Sequence, residues 1–464
     1  MLAQETIKLV NDTIGQYRER MIDVTDFIWK NPETGYREWK TSKFLHAQFV
    51  ELGYEPVLMG DIPGFYADLD TGRPGPTLAI LGELDSVICV GHPEADPNTG
   101  AIHACGHHTQ CAYLVGVAAA FRKACDTQTE ARGRGLQDLI CGKIRFIAVP
   151  AEELIELEFR GSLLEQGIIK YFGGKVEFMH RGVFDGVDAA VMVHSGIFLE
   201  DGKILSTSKG WNGCVAKSIT YTGKAAHAAG GPHKAINALY AATQGMQAIN
   251  AIRETFVAEN NTFVHPIITE GGIAVNVIPE TVRMETFVRG STPNAIVNEN
   301  KKVNRALAGA ALSLGARVRV TDFPGYMPLH HDSGMVELSQ KVAAAMFGED
   351  MAVVKDVVSG GSSDMGDLSC VMPVIQPLGG GGIGIGHGED FYVADKDIAC
   401  VDSARYIAGL TVALLENEGA RLYEVKEKFT PVFESYQAYF DFVEAMRTER
   451  ELVMYDGETA VVSW

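Results

Sequence analysis

The chain has 464 residues, of which 46% are hydrophobic, and a formal net charge of -19 at pH 7. This length exceeds one typical core, so we expect two domains. The negative charge argues against nucleic acid as a partner, because phosphate binding needs clustered Lys and Arg. No targeting segment or apolar run of membrane-spanning length stands out, so we expect a cytoplasmic protein without a membrane partner. The eight cysteines lack the dense regular spacing of a disulfide framework.

The predicted elements begin with a helix-rich entry, followed by an apolar strand from Leu78 to Leu81. Asp85 lies just past this strand and could orient a ligand imidazole, although an aspartate there could instead cap the following turn. Farther along, Cys105, Gly106 and His107 open a small apolar helix. A thiolate and an imidazole two positions apart suit a metal ion.

Two more strands end in residues of metal-ligand type. The run from Ile144 to Val149 is followed by Glu152 and Glu153, and the run from Ala189 to Val193 is followed by His194. Adjacent residues of an extended segment point in different directions, so the two glutamates need separate roles. We predict that Glu153 binds metal and that Glu152 is the general base for hydrolysis.

A last ligand type, His387, follows the glycine-rich stretch from Gly379 to Gly386. Each of these residues, taken singly, is more often a packed core residue than a ligand. Open α/β sheets, however, gather ligands beyond the carboxyl ends of their strands, and a mixed thiolate, imidazole and carboxylate set fits Zn or Mn better than Mg or Ca. The surplus over one tetrahedral site indicates two neighbouring metals, or one metal with open positions. The predicted ligands are Cys105, His107, Glu153, His194 and His387.

Several motifs, in order, connect the chain to a known family: Asn31 to Tyr36, Gly82 to Asp85, Ala104 to His107, Pro150 to Glu153, Gly223 to His227 and Asn276 to Pro279. With them the sequence resembles the aminoacylase and carboxypeptidase family of co-catalytic metallopeptidases. The resemblance is to its amidohydrolase branch, with the aminobenzoyl-glutamate and aminoacyl-conjugate hydrolases. It covers most of the chain and implies the same five ligands, two divalent ions and Glu152 as acid/base. It also implies that His227 contributes to the oxyanion pocket.

The resemblance implies an α/β fold in which a catalytic domain, with a central and mostly parallel sheet, carries an inserted α+β lid or dimerisation domain. The catalytic domain would comprise residues 1–211 and 324–464, with a helical tail from about Asn417, and the lid residues 212–323. Within the lid we predict strands over 216–222 and 281–288 and a helix over 235–252. Asn276 and Arg289 would hold the substrate's carboxylate, although Arg289 could instead be a surface ion-pair partner.

Two features depart from the family pattern. His108 stands after His107 where Asp or Asn is common, and the segment from Leu154 to Arg160 replaces the glycine and small residues that usually follow Glu153. A further segment from Ser359 to Asp364 lacks the ending of a nucleotide loop, and we predict that it is an active-site loop.

The predicted reaction is hydrolysis of the amide bond of N-acyl or N-aroyl amino acids, such as aminobenzoyl-glutamate-like conjugates, by water that the metal ions activate. The alternatives are a dipeptidase of the same family and a non-catalytic metal-binding partner subunit. In relatives the lid mediates dimerisation, so we expect a homodimer, or a hetero-oligomer with a related chain. His227 would then act within its own chain or in the partner's site.

Overall fold

The structure is a computed structural model that describes residues 2–122, 135–196 and 203–464. Its α-helices are α1 (Gln4–Gly15), α2 (Arg18–Trp29), α3 (Trp39–Glu51), α4 (His107–Arg122), α5 (Leu157–Glu165), α6 (Gly174–His180), α7 (Ala238–Ile252), α8 (Pro293–Leu314), α9 (Ser333–Phe347), α10 (Met365–Ser369), α11 (Ser403–Leu415), α12 (Ala420–Lys428) and α13 (Tyr436–Met446).

The strands are β1 (Val57–Leu58), β2 (Phe65–Asp70), β3 (Thr77–Glu83), β4 (Val87–Ile88), β5 (Ala101–Ile102), β6 (Lys143–Val149), β7 (Ala189–Val191), β8 (His194–Ser195), β9 (Leu205–Trp211), β10 (Gly213–Thr222), β11 (Phe263–Val264), β12 (Ile267–Glu270), β13 (Thr281–Gly290), β14 (Arg317–Pro324), β15 (Leu329–His330), β16 (Ala352–Ser359), β17 (Val374–Ile375), β18 (Leu378–Gly379), β19 (Gly382–Ile383), β20 (Tyr392–Val393), β21 (Thr448–Asp456) and β22 (Thr459–Val462).

The first of two compact units comprises Met1–Lys209, His330–Val357 and Asp367–Val432. Its sheet has the strand order β1-β2-β6-β3-β7-β17. Strands β6, β3, β7 and β17 are parallel neighbours, and β2 and β1 extend the sheet as an antiparallel edge. The prediction of a central, mostly parallel sheet is confirmed.

Helix α4 is the central helix of this unit, and its residues from His107 to Phe121 are all buried. A helix that is apolar all round belongs in a core rather than at a surface. Gly116 allows α2 to approach closely, because a side chain at that position would collide with Met21. The start of α4, and with it the predicted ligand His107, is therefore held firmly by packing.

The second unit comprises Gly210–Leu329, Val358–Gly366 and Phe433–Trp464. Its sheet is antiparallel with the order β11-β13-β10-β14-β21-β22, and β12 also pairs with β13. Helix α8 has a local signal at each end: the Thr292 side chain accepts from Ala295 N–H, Pro293 occupies the first turn, and Gly315 ends the helix at φ 72°. The long predicted helix begins later than expected, at Ala238, because Asn237 caps it.

The chain's last residues differ from the prediction of a helical tail on the catalytic domain. The tail contains a 3-10 turn at Asn417–Gly419 and the helices α12 and α13, but β21 then pairs with β14 in the second unit's sheet. Leu452 and Val453 on β21 are fully buried in that unit's core. These strands were not predicted, because a β-hairpin that joins a distant sheet leaves only a weak local pattern.

One helical stretch among the described residues, Asp397–Leu415, has the length and apolar character of a membrane span, with 83% of its most apolar window buried in the protein. This stretch differs from the expectation that no apolar run reaches membrane-spanning length. Such burial is typical of the core helix of a folded domain.

Candidate metal centre

The ends of three parallel strands bring the predicted ligands to one edge of the first unit's sheet. Strand β3 ends at Glu83, β6 ends just before Pro150, and β7 leads to His194 at the start of β8. Because these strands run in the same direction, the segments that follow them meet at their carboxyl ends.

The five predicted ligands form two groups, in each of which the potential ligand atoms lie within 4.8 Å of one another. The first group is Cys105, His107 and His194, and the second is Cys105, Glu153 and His387. The Cys105 Sγ atom is 3.5 Å from His194 Nε2, and His387 Nε2 is 3.1 Å from Glu153 Oε1. Cys105 is thus common to both groups.

A third group of the same kind contains Glu83, His107 and Glu152. Glu83 lies within one of the sequence motifs but was not predicted to belong to the site. Its carboxylate is fully buried and accepts hydrogen bonds from Lys175 Nζ at 2.5 Å and Gln110 Nε2 at 2.7 Å. The sequence signal that could have identified Glu83 is its position as an acidic residue at the end of an otherwise apolar, buried strand.

Asp85 contacts two of the predicted ligands at once. His107 Nδ1 donates to the Asp85 backbone oxygen at 3.0 Å and to Oδ1 at 3.2 Å, while Oδ2 accepts from the Glu153 N–H at 2.8 Å. This arrangement leaves His107 Nε2 on the side of the ligand groups, as ligand-orienting carboxylates do in metal sites.

Backbone contacts fix the remaining two imidazoles. His194 Nδ1 donates to the Ser195 carbonyl at 2.9 Å, which turns Nε2 towards Cys105. His387 has a positive φ of 62°, and its N–H bonds to the Ala104 carbonyl at 2.9 Å, next to Cys105. The His387 side chain is 55% exposed, whereas the other predicted ligands are largely buried. His108 is outside the three groups and packs on Trp29 and His103.

Close opposite charges perturb the ligand pKa values. Burial and Glu153 act to raise the pKa of the Cys105 thiol, but His107 and His194 outweigh them and lower it to about 6. The Glu153 carboxylate raises the pKa of His387 to about 11 against the effect of burial. The pKa of Glu153 falls well below its usual range because His387 and His107 outweigh burial. The cluster therefore favours a thiolate and a carboxylate at neutral pH, the forms in which both residues bind metal.

Two buried polar atoms of the cluster indicate whether these residues fit a metal ion. His107 Nε2 and Glu153 Oε1 are buried without a hydrogen-bond partner among the described residues. The nearest opposite groups are Glu83 Oε2, 3.1 Å from His107 Nε2, and His387 Nε2, 3.1 Å from Glu153 Oε1. Buried polar atoms normally have partners, and these two belong to the ligand groups. Together with the thiolate, imidazole and carboxylate chemistry, they fit a transition-metal site.

His227, Asn276 and Arg289 lie in the second unit, and the structure brings the first two together. His227 pairs with Val277 in a β-bridge, and the Ala228 N–H donates to the Asn276 carbonyl at 3.0 Å. The exposed His227 ring accepts the N–H groups of Ala229 and Gly230 at Nδ1. Since Nδ1 is an acceptor, Nε2 carries the proton in the neutral ring.

Arg289 is at the end of β13, where its Nη1 donates to Ser362 Oγ at 2.7 Å and its guanidinium lies 5.1 Å from the Phe287 ring centre. Ser362 belongs to the predicted active-site loop. No carboxylate of the described residues forms an ion pair with Arg289, so the surface ion pair considered as its alternative is not observed there.

Comparison with known proteins adds independent information. The chain is 30% identical over 320 residues to one subunit of the p-aminobenzoyl-glutamate hydrolase of Escherichia coli, a match that covers 67% of this chain and 59% of the relative. It is 27% identical over 315 residues to indole-3-acetyl-aspartic acid hydrolase of Enterobacter agglomerans. This match covers 66% of this chain and 65% of that enzyme. The chain thus spans less than two thirds of the length of either relative.

A solved structure with the same fold is that of a dinuclear metal-binding peptidase of family M20 from Bacillus subtilis. It matches 86% of this chain and 99% of its own length, with a TM-score of 0.64 and 22% identity. Residues 65–410, which contain every predicted site residue, match peptidase family M20/M25/M40. The sequence motifs, the fold and this match agree, and the chain belongs to peptidase family M20/M25/M40.

Proposed function

We propose that the chain is a metal-dependent amidohydrolase that cleaves the amide bond of N-acyl or N-aroyl amino acids with two divalent ions, Zn or Mn. The observation that carries this proposal is the pair of ligand groups that share Cys105, with Glu152 in a third group around His107. Two groups with a common residue are what two neighbouring ions require. The ligands would be Cys105, His107, Glu153, His194 and His387, with Asp85 orienting His107 and Glu153.

When bound, the ions would activate water and polarise the scissile carbonyl. Glu152 would take a proton from the attacking water and pass it to the leaving nitrogen. It is nearly buried, with 5% exposure, beside the ligand groups. A carboxylate in such a place is shielded from bulk water and close to where the water must be held.

His227 would donate a hydrogen bond from its Nε2–H group to the oxyanion that develops as the carbonyl is attacked. The tautomer supports this role, since Nδ1 is already occupied as an acceptor. Arg289 and Asn276 would bind the substrate's carboxylate, for which a guanidinium free of any carboxylate partner among the described residues is suited. The net charge of -19 makes such a local cation necessary for an anionic substrate.

Conjugates of an aromatic acyl group with an acidic amino acid are the first substrate class we propose. The names of the Escherichia coli and Enterobacter relatives describe cleavage of two such compounds. Dipeptides are the second candidate class. A non-catalytic metal-binding subunit is the third possibility, and the presence of Glu152 beside the ligand groups argues against it.

We also propose that two copies associate through the second unit, as a homodimer. Exposed apolar side chains concentrate on β12 and the following loop, notably Ile267, Ile273 and Val275. Large exposed apolar surfaces commonly mark association sites. Val275→Asp should convert the dimer to a monomer in light scattering; a monomeric wild type, or a related chain recovered with it, would favour a different assembly.

A cytoplasmic location is the remaining proposal. The seven cysteines that the structure describes are all free thiols, which suits a reducing compartment. Fractionation of cells that express the tagged full-length protein would test it, and recovery outside the cytoplasm would contradict it.

The decisive experiment combines elemental analysis with an assay for amino acid release. The purified protein would be offered 4-aminobenzoyl-glutamate, indole-3-acetyl-aspartate, an N-acetyl amino acid and a dipeptide. Two ions per chain with release from the aromatic conjugates would support the proposal. Release from the dipeptide alone would favour the dipeptidase, and bound metal without release across the panel would favour the non-catalytic subunit.

A further inference from the structure

Arg160 is a fully buried arginine whose hydrogen bonds, within the described part of the chain, go to main-chain carbonyls. Its guanidinium donates to the carbonyl oxygens of Glu153, Ala151 at 3.4 Å and Phe172 at 2.6 Å. Two of these carbonyls flank Glu152. A buried guanidinium offers five donors in a rigid planar fork, so it can connect several carbonyls that no neutral side chain could connect.

The segment that Arg160 contacts needs such external ties. Ala151 has a φ of 56°, a left-handed conformation that side chains other than glycine rarely adopt and that surrounding structure must impose. The backbone N–H groups are held by carboxylates, since Glu38 Oε1 accepts from Ala151 at 2.7 Å and Asp85 Oδ2 accepts from Glu153 at 2.8 Å. Arg160 donates to the carbonyl oxygens, so both the N–H and the C=O of Glu153 form hydrogen bonds to side chains.

The surroundings of Arg160 are shaped around its guanidinium. A side chain at Gly35 would collide with that group, and the Tyr36 ring centre lies 5.6 Å from it. The helix that carries Arg160 is anchored near its start, where Arg37 forms an ion pair with Glu156 at 2.6 Å and lies 3.5 Å over the Phe159 ring. This helix, α5, begins within the segment that departs from the family pattern after Glu153.

We propose that Arg160 is a positioning residue, which holds the Glu152–Glu153 segment in the conformation that presents Glu153 as a ligand and Glu152 as a base. This inference rests on the proposed metal site and adds to it a residue that touches neither metal nor substrate. Arg160 acts through the backbone: without it, the Ala151 carbonyl keeps only the Gly174 N–H at 3.2 Å and the Glu153 carbonyl only the Ile155 N–H at 2.9 Å. Both of these remaining bonds are to nearby main chain, whereas Glu38 and Asp85 still accept the N–H groups of Ala151 and Glu153. The segment would then sample other conformations, and both glutamates would be displaced.

The test compares Arg160→Met and Arg160→Lys with wild type and with Arg145→Met. Arg145 is a matched control because it lies on β6, donates to the Val183 carbonyl at 2.7 Å and pairs with Asp68, away from the glutamates. The dissociation constant for Zn²⁺ would be measured by competition with a chromophoric chelator, and kcat and KM at saturating metal. Arg160→Met should weaken Zn²⁺ binding about 10- to 100-fold and lower kcat more than KM changes.

Arg160→Lys should lie between Arg160→Met and wild type, because an ammonium can serve one carbonyl but cannot span all three. Arg145→Met should bind Zn²⁺ within about twofold of wild type, since it disturbs no contact of the ligand segment. Wild-type affinity in Arg160→Met, or an equal loss in Arg145→Met, would overturn the inference. If Arg160→Met does not fold, wild-type affinity and kcat in Arg160→Lys would overturn it. A wild-type protein that binds no metal would instead refute the proposed function.

Discussion

Asp85→Asn isolates the role of the one carboxylate that contacts two predicted ligands. Asp85 is fully buried, and its two oxygens accept separately from His107 Nδ1 and from the Glu153 N–H. Asparagine keeps one acceptor but replaces the other oxygen with an NH₂ donor. One of the two bonded N–H groups must then face another donor.

The size of the effect follows from this mismatch. A buried donor that loses its acceptor costs about 1–3 kcal/mol. In the metal-free protein the segment can relax around the asparagine, but metal binding requires His107 and Glu153 to return to their original geometry. The cost should therefore appear in binding, where about 1.4 kcal/mol corresponds to a tenfold change. We expect Zn²⁺ affinity to fall about 10- to 100-fold.

Zn²⁺ affinity would be measured by chelator competition at constant pH, together with thermal unfolding of the metal-free proteins. Asp188→Asn is the control, because Asp188 Oδ2 also accepts a backbone N–H, that of Thr77 at 2.8 Å, but it precedes β7 at the amino end of the parallel strands. Affinity within about twofold of wild type in a folded Asp85→Asn protein would refute the reasoning. An equal loss in Asp188→Asn would do the same.

Four further predictions concern catalysis, metal content and stability. Glu152→Gln should lower turnover by about 10²- to 10⁴-fold with unchanged metal content by elemental analysis, and retained turnover would exclude Glu152 as the base. Cys105→Ala should reduce metal content, because Cys105 belongs to both ligand groups; a full complement of metal would contradict this. Burial lowers the pKa of His331 to about 4, so the unfolded chain gains a proton first as pH falls below 6.5 and stability declines between pH 6.5 and 4. His331 should contribute about 2 kcal/mol of this loss at pH 5, and urea unfolding of His331→Gln should show a smaller decline than wild type. Leu452→Ala should cost about 2–5 kcal/mol in urea unfolding, as a fully buried leucine of the second unit's core, whereas Val461→Ala at a 48% exposed position should cost far less; equal effects would argue against β21 as part of that core.

Much of the candidate metal site could be predicted because most of the predicted ligands stand next to a local signal. Apolar runs of strand length end just before Glu152, Glu153 and His194, and the CGH motif opens a buried helix. Because the segments that follow parallel strands meet at one edge of the sheet, these residues could also be predicted to lie close together. The two ligand groups contain the five residues predicted as ligands and no others.

Glu83 and its buried partner Lys175 were not predicted as part of the site. They are 92 residues apart, and neither position shows a pattern from which the other could be inferred. Sequence periodicity reports which face of an element is buried, but not which buried charges meet. Their pairing depends on the packing of α6 against the end of β3, which is a property of the folded chain.

The family resemblance implied two domains, one of them inserted in the other, whereas the positions of several strands and the chemical types around the candidate metal site could be read from the residues themselves. These last depend on local alternation and on motifs of a few positions. Only the tertiary structure shows that Asp85 contacts two of the predicted ligands, that Arg160 donates to the carbonyls of the Glu152–Glu153 segment and that β21 joins the second unit's sheet. Each of these is a contact between separate elements or segments of the chain, and its partner is selected by the close packing of the whole unit rather than by a local sequence pattern.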